Sequence, residues 1–438
     1  MRSSAISITL SEWETLSAGT CTQLRGYALD TSPQARSVVD VLNKSGMLQL
    51  TELREGLSVS AASHVGRIRI GSLSITVLPK IKSSSLIRLL RYALGFQRIT
   101  PTSSVEHMAD TMGFEDLLVS QLNQEAQEII SRGLQRSYVR QEEPLSVPRG
   151  RIDINRLALS GGLVTAKLPC RYFSRLEDTQ LNRVLLSGLR LAGASASDIS
   201  LRRDSLRLAS LIEEQVKTIQ LSQSVLDQSE RQMSRLTEQY APVLAIIRML
   251  LDAKGVVLDG GESSITLPGF MFDMNVFFQE LMSRFLKENL SGYSVADEHG
   301  LTGMMKYNPS YNPKQRRSPT PRPDYAIMKQ RKLVSLIDAK YRDLWEHNLP
   351  RDMLYQLVVY AISQRELLQS SILYPASSPV ARESRIDVND PIHGRRIGEV
   401  HLRPVNLNRI EELISSNTRS HKVERNRVAK FFAFGPPE

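Results

Sequence analysis

Apolar residues two positions apart dominate the first eighty residues. In "HVGRIRIGSLSITVLPKI", Ile68 and Ile70, then Leu73, Ile75 and Val77, alternate with other residues around Gly71-Ser72, the pattern of a hairpin with one buried face. The shorter runs "ISITL" and "GMLQLTE" precede it, so residues 1–105 read as a β-rich N-terminal module. From "SSSLIRLLRYALGF" onward the spacing becomes helical. Leu117, Leu118, Leu122, Ala126, Ile129 and Ile130 fall roughly on one helical face. Helical sequence then continues almost to residue 255, interrupted by "SVPRGRIDINRLA", which reads as a strand and turn. Asp178 and Thr179 can cap a helix carrying Leu181, Val184, Leu185 and Leu189. The last helix has Pro242 in its first turn and stops at Gly255, the expected asymmetry of helix ends. Residues 106–260 therefore read as a mainly helical connector, with a boundary near Gly255 to Gly261.

Residues 261–438 change character again. An amphipathic helix uses Met274, Phe277, Phe278, Leu281, Phe285 and Leu286. The proline-broken segment "YNPSYNPKQRRSPTPRPD" separates it from two strand-like runs, "DYAIM" and "KLVSLIDAK". A second helix follows Pro350 and places Leu354, Leu357, Val358, Ala361 and Ile362 on one side; "SSILYP" and "GEVHLRPVNL" then read as strands. The order helix, strand, strand, helix, strand predicts an α/β domain covered by helices, and the whole chain an α+β multidomain protein.

Composition narrows the function classes. At 438 residues the chain exceeds one ordinary core, and no apolar run approaches the roughly 18 residues that would cross a bilayer, so no membrane association is expected. The N-terminus lacks a secretory pattern, and Cys21 and Cys170 have no redox or metal spacing, which suits a reducing cytoplasm. Lys and Arg total 56 against 46 Asp and Glu, a net +10 that favours contact with a polyanion but is spread over a large surface. The seven histidines form no zinc-like spacing. No phosphate-binding loop is present, so any nucleoside triphosphate chemistry belongs to another chain.

The chemistry concentrates in the predicted hairpin. Folding it back near Arg331 sets Asp324 opposite Asp338, and opposed residues in an antiparallel pair have Cβ atoms about 5 Å apart. Two carboxylates so close repel; a hard cation such as Mg²⁺ resolves the conflict, since it commonly takes one or two carboxylates plus phosphate and water. Strand alternation puts Lys340 on the face of Asp338 and Ala339 on the other. Two acids to hold metal and a lysine to manage a water nucleophile suit phosphodiester hydrolysis. Gln356 and Tyr360, four apart on the following helix, share a face and could reach the same site. Lys314, Arg316, Arg317 and Arg322, in the loop before Asp324, could grip a DNA backbone.

The series P-D, strand, D-x-K and Q-x-x-x-Y resembles the PD-(D/E)xK restriction-endonuclease-like nucleases, in their RecB-like branch. The runs "GSLSITVLPKI", "YVRQEEPLSVPRGRID", "RLEDTQLNRVLLSGL", "FDMNVFFQELM" and "LIDAKYRDL" occur in the order found in McrC, the nuclease subunit of McrBC modification-dependent restriction systems. That resemblance implies a C-terminal nuclease domain, residues 261–438, with Asp324, Asp338, Lys340, Gln356 and Tyr360 as catalytic residues. It implies Mg²⁺ held by Asp324, Asp338 and the backbone carbonyl of Ala339. It also implies an McrB-like AAA+ GTPase hexamer that binds GTP, docks on the N-terminal region and recognises double-stranded DNA with modified bases. One departure stands out: many relatives carry Leu-Phe-Glu in the first nuclease helix, where this chain has Phe277-Phe278-Gln279 followed by Glu280. Either Glu280 supplies the missing acid, which needs a rotation of about 100° around the helix, or the two aspartates act alone. Two other readings remain open: a non-catalytic activator of the GTPase with a degraded nuclease domain, and a stand-alone RecB-like repair nuclease.

Overall fold

The computed structural model describes residues 6–30, 32–95, 113–159, 167–254, 269–363 and 368–436; the boundary expected near Gly255 to Gly261 lies outside them. Packing divides the chain into two compact units, residues 1–111 together with 271–438, and residues 112–270. Among the described residues no helix is long and apolar enough to cross a membrane.

The first unit begins with strands β1 (Ile6–Ser11) and β2 (Thr15–Leu16), helix α1 (Pro33–Ser45), strands β3 (Leu48–Leu53), β4 (Gly56–Ala61), β5 (His64–Ile70) and β6 (Leu73–Leu78), and helix α2 (Ser83–Ala93). The hairpin anticipated around Gly71 is β5–β6, with Ile68 opposite Ile75. Gly71 adopts φ +58°, which a β-carbon would strain. β1 lies parallel to β6, and β2, β4 and β3 form a separate antiparallel sheet.

Residues 112–270 contain α3 (Phe114–Arg132), β7 (Ser137–Leu145), β8 (Arg151–Ile152), α4 (Ile154–Leu159), β9 (Leu168–Leu176), α5 (Gln180–Ser195), α6 (Ile199–Glu213), α7 (Gln223–Arg231) and α8 (Ala241–Lys254). Helices α3, α5, α6 and α8 pack together through Leu117, Leu122, Val184, Leu185 and Ile247, all buried. Thr179 caps α5, its hydroxyl accepting the Asn182 N–H, as the sequence suggests. The single strand and turn expected here are instead a three-stranded antiparallel sheet, β7-β9-β8. β7 is mostly exposed and the more buried face of β9 is carried by Cys170, Tyr172 and Ser174 rather than by aliphatic residues, so no apolar alternation marks "LPCRYFSRL" as a strand.

The rest of the chain comprises β10 (Gly269–Asp273), which spans the boundary between the units, and, in the first unit, α9 (Met274–Asn289), β11 (Ser294–Asp297), β12 (Tyr325–Lys329), β13 (Lys332–Ala339), α10 (Arg351–Ile362), β14 (Gln369–Pro375), β15 (Ser384–Asn389), β16 (Arg396–Val405), α11 (Leu407–Ile414) and α12 (Arg419–Phe434). Six strands form one mixed sheet in the order β11-β12-β13-β14-β16-β15, with β13–β14 and β14–β16 parallel. Leu357 and Tyr360 of α10 join Ala326, Leu336, Ile372 and Val400 in the core on one face. The other face meets α9 and α12: Phe278 sits edge-on to Tyr341 with centroids 6.0 Å apart, and Ser335 donates to the Ala433 carbonyl at 2.9 Å. Strands β11 and β15, both at sheet edges, were not anticipated; β15 is a largely exposed run whose sequence shows no core.

Candidate functional site

The site forms where β12 begins and β13 ends. Tyr325 pairs with Ile337 and Ala326 with Leu336, so Asp324 stands opposite Asp338 one step beyond the last paired residues. Leu336 lies in the α10-side core, and strand alternation sends Asp338 and Lys340 to that same face. β13 runs parallel to β14 in the interior of the sheet, and the backbone N–H of Lys340 donates to the Leu373 carbonyl at 3.0 Å. The carboxyl ends of adjacent parallel strands are where open α/β sheets hold their ligands.

The structure brings Asp324, Asp338 and Lys340 together. The Lys340 ammonium lies 3.1 Å from Asp338 Oδ2 and 3.6 Å from Asp324 Oδ2. Asp324 also accepts the Ala339 N–H at 2.7 Å, which locks its carboxylate across the strand end. The Asp338 side chain is only 3% exposed, and its Oδ1 has no hydrogen-bond partner. Burial first, and the Asp324 charge second, push the Asp338 carboxyl from 3.8 up to about 7. Burial disfavours the charge on Lys340, but Asp338 and Asp324 together more than restore it, so its affinity for the proton is raised.

The remaining predicted residues are placed around this centre. Gln356 donates to the Tyr360 hydroxyl at 2.6 Å, and Tyr360, buried under the sheet, feels the charges of Asp338, Asp324 and Lys340. The Ala339 carbonyl receives a long hydrogen bond of 3.5 Å from the Gln279 amide. Glu280 is exposed on α9, and the charges that act on it are those of Asp297, Lys287 and Glu298. Lys314, Arg316, Arg317 and Arg322 are all exposed; the loop carrying the first three is closed by Asn312, which donates to the Arg316 carbonyl at 2.9 Å.

A divalent cation fits the donor set. The site offers two opposed carboxylates, one with a buried unpartnered oxygen, and a strand-end carbonyl, within the usual demands of Mg²⁺. Among the described residues no three Asp, Glu, His or Cys side chains converge, so Asp324 and Asp338 are the acids the site supplies. Sequence reasoning missed the supports behind them. The Tyr325 hydroxyl donates to the Gln279 carbonyl at 2.7 Å, tying α9 to β12, and the Tyr341 N–H donates to Asn275 Oδ1 at 3.1 Å. Tyr325 and Tyr341 each adjoin a predicted acid or lysine, the one local signal that could have flagged them.

A family model described as "McrBC 5-methylcytosine restriction system component" matches residues 59–375. A solved structure from Thermococcus gammatolerans, the refined half-complex from a tetradecameric assembly of McrB AAA+ hexamers with bound McrC, aligns with a TM-score of 0.61 at 18% identity. The alignment covers 97% of this chain and 100% of that one. The cryo-EM structure of the Thermococcus gammatolerans McrBC complex aligns at a TM-score of 0.46 and 16% identity over 65% of this chain and 88% of that chain. Among curated proteins, none matches.

Proposed function

Because the chain belongs to the McrBC 5-methylcytosine restriction system component family, we propose that it is the DNA-cutting subunit of a GTP-driven, modification-dependent restriction complex. Its C-terminal segment is the nuclease, of PD-(D/E)xK type. The observation that carries this reading is the convergence of two opposed carboxylates and one ammonium at the end of an interior strand.

Asp324, Asp338 and the Ala339 carbonyl would hold Mg²⁺. When bound, that ion supplies Lewis acidity toward a phosphate oxygen and a water of lowered pKa. Lys340 stands beside both carboxylates as a held cation, placed to orient a water and to offset charge developing on the phosphate. Tyr360, with Gln356 on its hydroxyl, borders the same face within reach of the charges of Asp338, Asp324 and Lys340. The exposed Lys314, Arg316, Arg317 and Arg322 would contact the DNA backbone without reading sequence.

The partner is an McrB-like AAA+ GTPase hexamer, which would recognise the modified DNA and hydrolyse the GTP. Two features support it: this chain has no phosphate-binding loop, and its fold aligns with a structure whose McrC is bound to McrB AAA+ hexamers. The neutral Gln279 favours a second reading, in which the chain activates the GTPase without cutting.

The test is reconstitution with that GTPase. D338A is expected to lower DNA cleavage by about a hundredfold or more while GTPase stimulation persists. Undiminished cleavage by D338A would remove the proposed metal site. A wild-type complex that stimulates GTP hydrolysis but never cuts would establish the activator reading. Robust cleavage by the purified chain with Mg²⁺ alone would point to a stand-alone nuclease.

A further inference from the structure

The chain that leaves β13 after Asp338 and Ala339, through Lys340, does not run free. The next residue, Tyr341, turns to the face opposite Lys340, packs edge-on against Phe278, and donates its hydroxyl proton to Glu12 Oε1 at 2.8 Å. Glu12 is fully buried, and the same oxygen accepts the Lys80 N–H at 2.7 Å. Glu12 directly follows β1, and its own N–H donates to the Leu78 carbonyl at the end of β6 at 3.1 Å. One carboxylate oxygen therefore joins the carboxyl ends of both parallel strands of the N-terminal sheet to the residue after the metal-site lysine.

Neighbouring contacts repeat the link. Arg342 lies over the Trp13 ring at 5.4 Å, so two consecutive residues after Lys340 are held by two consecutive residues after β1. Asn275, which accepts the Tyr341 N–H, donates to the Ser63 hydroxyl at 2.6 Å, between β4 and β5. Burying an acid this deeply is costly, and burial moves Glu12 from 4.5 up to about 7 even though Lys80 and Tyr341 both donate to it. No local helix or strand requirement explains an acid at this position.

We propose that Glu12, acting through Tyr341, is a positioning residue for the metal centre. The N-terminal β module thereby sets the end of β13 and with it the Ala339 carbonyl and the Lys340 ammonium. The inference rests on the metal-site reading above, and it gives the module expected to dock the GTPase a direct hold on the cutting site. Groups that orient metal ligands from behind typically alter metal affinity 10- to 100-fold when changed.

The experiment measures Mn²⁺ binding to the full-length chain by the electron paramagnetic resonance signal of the free ion, with thermal melting in chelator alongside. Y341F keeps the ring and loses only the hydroxyl; E12A removes the acceptor; E12Q retains a carbonyl oxygen for both donors. Y341F and E12A are expected to bind Mn²⁺ about tenfold more weakly, with E12Q close to wild type. A purely structural role predicts lower melting temperatures with unchanged Mn²⁺ affinity in Y341F and E12A, and that result overturns the proposal. D338A separates the two layers: if it binds Mn²⁺ like wild type, the metal site itself is wrong and this inference falls with it. If D338A loses Mn²⁺ while Y341F and E12A do not, only the positioning role is rejected.

Discussion

Asp338 is the residue on which local conflict is greatest. Its carboxyl is buried, lacks a partner at Oδ1 and faces a second acid, and its pKa rises from 3.8 to about 7. A raised acid pKa means that ionisation costs folding free energy: the cost is full above about pH 7, shrinks as pH falls through 7, and is gone below the unfolded value near 3.8. D338N removes that ionisation. In chelator at pH 8 it is expected to stabilise the protein by roughly 1 to 3 kcal/mol, with the advantage narrowing toward pH 5. Mg²⁺ at pH 8 should raise the melting temperature of wild type and leave D338N unmoved. Calorimetric scans at the two pH values check this, and a D338N benefit independent of pH would contradict the assignment. The pairing of Asp324 with Asp338 was legible because alternation and chain reversal are local rules. The depth of burial was not, since it depends on α10 and β14, which are distant in sequence.

At the level of elements, the hairpin β12–β13 shows what periodicity reveals and what it hides. The turn is a two-residue connection between Lys329 and Lys332, with Gln330 and Arg331 both at positive φ, +49° and +66°. Such turns favour Asn-Gly, so this sequence carries no turn signature; the reversal was found from the apolar runs on either side. Near the turn the register slips, Ile327 facing Ser335 but Met328 facing Leu333, so Val334 bulges out of the ladder. The double substitution Q330N/R331G should relieve left-handed strain and stabilise the protein by about 0.5 to 1 kcal/mol. Equilibrium urea unfolding measures it, and cleavage by the reconstituted complex should not change. A destabilised double variant would mean that the native side chains of Gln330 and Arg331 contribute more than the turn costs. The sheet β7-β9-β8 marks the opposite limit, where strands that bury few aliphatic side chains leave no apolar trace of period two.

Across the whole molecule, the first and last parts of the chain share one compact unit, while residues 112–270 form another. Residues 271–438 expressed alone would lose Glu12 against Tyr341, Ser63 against Asn275, and Tyr92, whose hydroxyl donates to Glu288 at 2.7 Å. That fragment is expected to melt without a cooperative transition, whereas residues 112–270 alone, with Leu117, Leu122, Val184 and Ile247 in their own core, should melt cooperatively. Circular dichroism melts of both fragments decide it; a cooperative 271–438 fragment would show that the N-terminal contacts are dispensable for folding. The sequence by itself determined the helices with one apolar face, the hairpin and the spacing of its two acids and lysine, because these follow from periods of 3.6 and 2 acting over a few residues. Only the tertiary structure decided that Gln279 reaches the Ala339 carbonyl, that Glu280 lies among the charges of Asp297 and Glu298, and that Glu12 stands behind Tyr341. Contacts between residues more than three hundred positions apart arise from the way separate sheets and helices bury their faces together, and no local pattern encodes that choice.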